Sequence, residues 1–250
     1  MESILRKEQG PTITLLWLLL IILIPYVSIP IYLIFGARKI KKISQKKSML
    51  YLKRKTHFKH KTQKLSDLTM RLLESTGAPS STENNEIKIM DSGEKAFHSL
   101  IERIRSAQHS ISISTFIFKC DDVGKKIINE LINKASNDKI KIRILIDSVG
   151  SFYFHKIIAR KMKKAGIELR FFLPIFESIL RGRANLRNHR KLILIDDKHA
   201  LIGGMNISST YLGPKTNLQR WVDLNIEVSG NCVADLRTIF EADWSFSDKK

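Results

Sequence analysis

Cysteine is nearly absent: Cys120 and Cys232 are the only two in 250 residues. That excludes a disulfide framework. With no C-x-x-C pair and no Cys/His cluster, nothing reads as a metal site. Both cysteines read as small buried hydrophobes in a reducing compartment. Charge is absent from Leu15 to Phe35, and acid is absent from Ala37 to Lys64. The first gap removes any barrier to burial in lipid. The second leaves a segment that repels cations and attracts anions. A small-x-small cleavage site is missing as well, and a basic segment follows the apolar run directly. Together these argue against a cleaved signal peptide.

What is present follows from those gaps. The net charge is +19, which implies an anionic partner: a membrane surface, phospholipid head groups or nucleic acid. Much of it comes from the bases between Arg38 and Lys64, where His57 and His60 belong to the same solvated stretch. The uncharged run is long enough to span a bilayer, which takes roughly 20 residues. Pro25 and Pro30 would kink such a helix, which membrane helices tolerate. A re-entrant hairpin turning at the prolines is the alternative. A juxtamembrane cluster of this kind marks the cytoplasmic side and attracts anionic lipid by about 1 kcal/mol per base near the surface. The chain therefore divides into a tail (1–13), a transmembrane helix (14–36), a basic juxtamembrane segment and linker (37–85), and a globular domain (86–250).

Within that domain, strands alternate with helices. Glu86 to Met90, Ser110 to Phe118, Ile140 to Ile146, Ile167 to Leu173 and Trp221 to Val228 read as strands. Asp91-Ser92-Gly93-Glu94 resembles a capping box ahead of a helix whose face is Phe97, Leu100, Ile101 and Ile104. Val123, Ile127, Ile128, Leu131 and Ile132 line a second helix. Phe152 to Lys164 and Cys232 to Trp244 read as two more. The alternation predicts an α/β layered domain with its chemistry at strand ends.

One stretch carries the chemistry. Asn188 to Asp196, then Asp197-Lys198-His199 and Gly203-Gly204-Met205-Asn206, reads as strand, turn, strand. Side chains alternate along a strand, so His189 and Lys191 share a face while Asp196 points the other way. An imidazole beside a fixed ammonium suits an anionic substrate: Lys191 neutralises it and His189 attacks or moves a proton. Two glycines let the backbone approach a ligand closely. Asn206 beyond them can donate an amide N–H.

His-x-Lys, the downstream Asp and Gly-Gly-x-Asn together resemble the HKD signature of the phospholipase D superfamily. Arg187-Asn188-His189-Arg190-Lys191 and Gly203-Gly204-Met205-Asn206 are most similar to its cardiolipin synthase branch, where Gly is usual at position 204 and many other relatives have Ser. Trp17 through Gly36 looks like the second of two N-terminal membrane helices in bacterial members. Phe118 to Gly124 and Asp147 to Ser151 resemble the approach to the first catalytic motif.

The resemblance implies an α/β phospholipase D-like domain, a mixed sheet flanked by helices, after one transmembrane helix. It implies a phosphatidyltransferase that converts two phosphatidylglycerols to cardiolipin and glycerol through a phosphatidyl-histidine on His189. Lys191 and Asn206 would bind phosphate oxygens, and Asp196, the third motif residue, would support them from the opposite face. Asp223 would hydrogen-bond the catalytic His, and Arg181, Arg183 and Arg187 would form a phosphate-binding lip. No metal or cofactor is expected. The implied partners are the membrane, with phosphatidylglycerol and cardiolipin as anionic lipids. The implied location is the inner membrane, single-pass, with the catalytic domain cytoplasmic.

A second His-x-Lys with its Asp is missing, since His98, His109 and His155-Lys156 do not fit. The resemblance thus covers the first half of a two-motif enzyme. A homodimer mate or a separate polypeptide would supply the second half, or the chain is a fragment. Hydrolysis as a phospholipase D and cleavage as a single-motif homodimeric nuclease are alternatives. So is an inactive subunit that binds anionic lipid through Ala37 to Lys64. Nucleic acid is disfavoured, because the charge sits mainly beside the apolar run and no aromatic-basic stacking surface is evident.

Overall fold

The computed structural model describes residues 11–35, 65–76, 79–174 and 187–248. The basic segment 37–64, with His57 and His60, and Arg181 and Arg183 lie outside the described residues. The chain divides into two compact units: residues 1–45 with 173–186, and residues 46–172 with 187–250.

In the first unit, two helices stand where one was expected: α1 (Pro11–Leu23) and α2 (Pro25–Phe35). Pro25 is the first residue of α2, where its missing N–H costs nothing. In one straight helix Trp17 and Tyr32 would be about 22 Å apart at 1.5 Å per residue. Their rings instead meet edge-on with centroids 5.3 Å apart, so the chain reverses between them. The Ser28 hydroxyl donates to the Leu20 carbonyl at 2.8 Å across the break. Among the described residues no helix is long and apolar enough to cross a membrane. A single helix over 14–36, kinked at its prolines, is therefore not what the described residues show: the break falls at Ile24, just ahead of Pro25, whereas Pro30 lies inside α2 without ending it.

The second unit is built on a mixed sheet of seven strands: β1 (Asn85–Met90), β2 (Ser110–Thr115), β3 (Lys141–Asp147), β4 (Glu168–Phe172), β5 (Leu192–Ile195), β6 (His199–Gly203) and β7 (Asn225–Gly230). Their order across the sheet is β1-β7-β6-β5-β2-β3-β4. β2, β3 and β4 are parallel; every other pairing is antiparallel. Among the described residues, the helices of this unit are α3 (Leu65–Ser75), α4 (Gly93–Ser106), α5 (Asp122–Asn133), α6 (Lys156–Lys164) and α7 (Val233–Asp248). A π-helical turn, Lys134–Asp138, extends α5. The α/β layered domain with a mixed sheet is thus observed.

Sequence pattern decides which face each element buries. Ile111 and Ile113 of β2 pack in one apolar core with Phe97, Leu100 and Ile104 of α4 and Ile127 and Leu131 of α5. The alternate β2 residues, Ser112 and Ser114, are buried on the other face. There α7 packs against β4, β5, β6 and β7. Arg143 of β3 reaches the Ser112 hydroxyl at 3.3 Å and Glu241 of α7 at 2.9 Å. Leu192, Leu194 and Ile195 of β5 are at most 3% exposed, as a doubly covered strand should be.

Local chemistry corrects some boundaries. Ser92 caps α4 by accepting from the Lys95 N–H at 3.2 Å. The reciprocal half of a capping box is absent, because the third helical position is Lys95, which pairs with Asp91 at 2.9 Å. β7 begins at Asn225, later than Trp221, because its partner β6 ends at Gly203, opposite Asn225. α6 begins at Lys156, after a turn that the Asp147 carboxylate caps by accepting from Val149 N–H at 2.9 Å and Gly150 N–H at 3.2 Å. Cys120 and Cys232 are free and only partly buried.

Asp196 fixes the hairpin between β5 and β6. Asp196 and Asp197 have φ of +53° and +55°, and the Lys198 N–H returns to the Ile195 carbonyl at 3.0 Å. That is the pattern of a type I′ turn, whose twist matches its strands. The Asp196 carboxylate accepts from the backbone N–H groups of Gln108 (2.9 Å), His109 (2.7 Å) and Ser110 (2.8 Å). It thereby ties the hairpin to the start of β2. Burial pushes this carboxyl up, but the Ser110, Gln108 and His109 N–H groups outweigh it and hold the group below the usual range.

A carboxyl depressed in the folded state contributes stability above its unfolded value of about 3.9. That contribution is lost as pH falls through the lower folded value. Asp196→Asn should therefore cost roughly 1–3 kcal/mol near neutral pH in urea denaturation. The gap between wild type and variant should close in acid. A gap that stays constant down to strong acid would refute the role of the charge.

Candidate active site

The site lies where β5 enters the sheet. β5 is antiparallel to β2, with Leu192 opposite Ser114. Residues 187–191 therefore lie at the carboxyl ends of the parallel strands β2 and β3. Crevices at such strand ends are the usual ligand sites of α/β sheets.

His189 and Lys191 are brought together as their spacing predicts. The Lys191 ammonium is 3.0 Å from Nδ1 and 3.2 Å from Nε2 of His189, and 2.8 Å from the His189 carbonyl. An ammonium can only donate, and it bridges the two ring nitrogens rather than lying along one lone pair. The Phe116 ring packs against the imidazole, with centroids 4.7 Å apart and planes tilted by 52°. The same ring lies 5.8 Å from the Lys191 ammonium. Burial pushes the Lys191 ammonium below its usual value, and nearby Asp223 partly restores it. A partly desolvated ammonium gains from any anion that binds beside it.

Asn206 is buried, and its Oδ1 accepts from the Ile117 N–H at 3.1 Å. Its oxygen thus holds the segment after β2, which leaves the amide hydrogens as donors. Lys119 N–H to Ile207 carbonyl at 2.9 Å and Ile207 N–H to Ile117 carbonyl at 3.1 Å complete that attachment. Asp196 is at the far end of β5 from His189, about 23 Å along an extended chain. It faces neither the imidazole nor the ammonium, and alternation is not the cause; the length of the strand is.

Asp223 precedes β7 and does not sit on it. Its Oδ1 accepts from the Leu224 N–H at 2.7 Å. No hydrogen bond joins Asp223 to His189 among the described residues; Asp223 acts on Lys191 through charge. A Cβ on Gly204 would stand 2.1 Å from the Asp223 carboxylate, and one on Gly203 would stand 2.2 Å from the Leu224 carbonyl. The glycine pair therefore admits the chain's own strand β7 and its acid, rather than a ligand. Arg187, expected in a phosphate-binding lip, faces Asp147 at 3.8 Å, and burial lowers its pKa against that acid's pull.

Sequence reasoning missed the residues that hold this geometry. Asp147 is fully buried, and its Oδ2 accepts from the Asn188 N–H at 3.1 Å. The Asn188 amide donates to Ser114 Oγ at 3.1 Å and to the Asp243 carboxylate at 3.1 Å. Asp243, also fully buried, receives Arg190 at 2.9 Å. Ser151 accepts from the Phe118 N–H at 3.0 Å and donates to the Phe116 carbonyl at 3.0 Å. One signal could have found Asp243. It shares the buried stripe of α7 with Val233, Phe240 and Trp244, and an acid in such a stripe must have a partner.

Removing one partner of a buried ionic network costs roughly 3–5 kcal/mol. Arg190→Ala should lower the unfolding free energy by about that amount, because it takes a guanidinium away from a carboxylate with no exposure. Asp243→Ala should cost less, because the Arg190 it leaves behind is 42% exposed and can be hydrated. Urea denaturation of both variants checks the order, and a larger loss from Asp243→Ala would overturn it.

Residues 100–244 match the family described as cardiolipin synthase, PLD-like domain. Residues 3–36 match the phospholipase D-nuclease N-terminal family. A cardiolipin synthase of Clostridium perfringens is 32% identical across 97% of this chain and 52% of its own length. Cardiolipin synthase 2 of Bacillus anthracis is 31% identical across 97% of this chain and 49% of its own length. The chain spans about half the length of these curated relatives. Among solved structures, a phospholipase D family member, Nuc from Salmonella typhimurium, superposes with a TM-score of 0.49 at 16% identity, covering 65% of this chain and 95% of that one. With its family match extending over more than half its residues, the chain belongs to the cardiolipin synthase, PLD-like domain family of the phospholipase D superfamily.

Proposed function

We propose that this chain is the first half of a membrane-bound phosphatidyltransferase that makes cardiolipin from two phosphatidylglycerols. The observation that carries the reading is the His189–Lys191 pair on a backbone pinned by buried Asp147 and Asp243. A nucleophile must be held within a few tenths of an ångström of its line of attack, and this one is attached on both sides.

His189 attacks the phosphorus of one phosphatidylglycerol. The bond from phosphorus to the glycerol head-group oxygen breaks, and that alkoxide takes a proton from an opposed general acid. A hydroxyl of a second phosphatidylglycerol, losing its proton to the same group, attacks phosphorus and expels His189. The first step exchanges a phosphodiester bond for the bond from phosphorus to His189 and the second exchanges that bond for a new phosphodiester, so one phosphodiester is consumed and one formed overall and no high-energy donor is needed. Lys191 and the Asn206 amide neutralise the non-bridging oxygens as charge builds on them. Asp223 keeps Lys191 charged and, with substrate bound, supports the His189 imidazole as in other acid–His pairs.

The opposed group comes from a second motif, in a dimer mate, in a separate chain or in further sequence of the same protein. Two observations support this: one His-x-Lys followed by an Asp five positions after the Lys occurs in the sequence, and the chain spans about half the length of its curated relatives. Leu218, Trp221, Val222 and Leu224 are exposed beside Asp223, an apolar strip adjoining the site that a second half would cover. The basic run Ala37 to Lys64 concentrates anionic lipid near the membrane, on its cytoplasmic side.

The test is incubation of the purified chain with phosphatidylglycerol, alone and with a second motif-bearing chain. Cardiolipin plus glycerol is expected in at least one arm, with a phosphatidyl adduct on the protein trapped by rapid denaturation without acid. His189→Ala should abolish both, and Lys191→Ala should slow turnover by about 10²–10³-fold. Phosphatidic acid as the product would mean hydrolysis. An adduct that persists in His189→Ala would overturn the nucleophile assignment.

A further inference from the structure

The turn after β3 and the helix behind it present a surface that the chemistry above does not use. Phe152 is 64% exposed, Tyr153 84% and Ile157 77%, with Val149 exposed beside them. The two rings pack edge to face with centroids 5.3 Å apart. α6 follows with Lys156, Arg160, Lys161, Lys163 and Lys164, all exposed. No acid occurs between Asp147 and Glu168. On the inner side, buried Phe154 and Met162 fasten the segment to the core.

Exposed aromatic and aliphatic side chains beside a dense basic helix have the composition of an interfacial anchor. The apolar groups enter the boundary between head groups and acyl chains while the bases meet anionic lipid. A base-stacking platform would set its rings to receive successive bases, whereas here the two rings pack edge to face against each other and aliphatic Val149 and Ile157 flank them. A second copy would set like charge against like.

The surface is fixed to the site. Asp147 caps Val149 and Gly150 with one carboxylate oxygen and holds Asn188, next to His189, with the other. Ser151 bonds Phe116, whose ring packs on His189. A Cβ on Gly150 would stand 2.3 Å from the Phe116 carbonyl, so the turn lies directly against that strand end. We infer that Val149, Phe152, Tyr153 and Ile157, with the bases of α6, dock on an anionic phospholipid surface and seat the His189 site at head-group level. The docking stands on this surface alone; its value for catalysis rests on the phosphatidyltransfer reading.

The test uses the full chain with Cys120→Ala and Cys232→Ala, folded as judged by circular dichroism. It carries a fluorophore on Tyr153→Cys or, at the opposite end of β3, on Ser136→Cys. In vesicles of equal phosphatidylglycerol and phosphatidylcholine, the Tyr153→Cys label should shift to the blue and be quenched by brominated acyl chains. In phosphatidylcholine alone it should stay aqueous, and the Ser136→Cys label should stay aqueous in both. Lys161→Gln and Lys164→Gln should each weaken the docking roughly fivefold. His189→Ala should leave the label's depth unchanged, so docking without cardiolipin formation would reject the transfer chemistry and not the anchor. An aqueous Tyr153→Cys label on phosphatidylglycerol vesicles overturns the inference. So does shielding by a single-stranded oligonucleotide or by self-association in place of lipid.

Discussion

The hydrogen bond from the Asn188 N–H to the Asp147 carboxylate joins the reacting segment to the strand beside it, and the rest of the site follows from that bond. Asp147 ends β3 with no exposure to solvent. A carboxylate in that position must be fully satisfied, because an unpaired buried charge would cost several kcal/mol. Its partners are the Val149, Gly150 and Asn188 N–H groups and the Arg187 guanidinium. Satisfying one buried acid thus shapes the turn after β3 and fixes the chain one residue before His189. Asn188 passes the constraint on, through its amide, to Ser114 of β2 and Asp243 of α7.

This explains how a four-residue strand can present a reactive pair reliably. β5 contributes apolar burial from Leu192, Leu194 and Ile195, which sets its place in the sheet but not the position of the residues ahead of it. That position is set by polar contacts from β2, β3 and α7, three elements distant in sequence. Between them the Lys191 ammonium is partly stripped of water and placed against the imidazole, with Asp223 holding its charge. An arrangement of this kind favours an anion, because the ammonium recovers by binding it what burial took away. Asp196 serves the same architecture from the other end. It locks the β5–β6 turn to the start of β2, so the hairpin cannot slide.

Several expectations from pattern alone needed the fold to correct them. The uncharged run from Leu15 to Phe35 has the length of one membrane helix, yet Pro25 starts a second helix and Trp17 meets Tyr32. Hydropathy reports burial preference and says little about a reversal. Asp91 to Glu94 resembled a capping box, but only Ser92 caps, since the third helical residue is Lys95. The glycines at 203 and 204 read as room for a ligand, and the space is taken by Asp223 and the chain before β7. Asp223 fell on a strand by pattern and falls before it in fact, because β6 runs out of residues to pair.

The sequence by itself determined the α/β alternation, the pairing of His189 with Lys191 on one face, and the presence of one His-x-Lys with its downstream Asp. Those properties depend on local periodicity and residue type, which a single chain displays directly. The tertiary structure alone decided that Asp147, Ser151 and Asp243 hold the site and that Asp196 pins a turn at the other end of β5. It also decided that Asp223 answers to Lys191, and that an apolar, basic surface lies at the same strand end as His189. Each of those facts depends on which distant groups meet when the sheet assembles. Acids look alike in sequence; burial and the partners it forces on them give each its role.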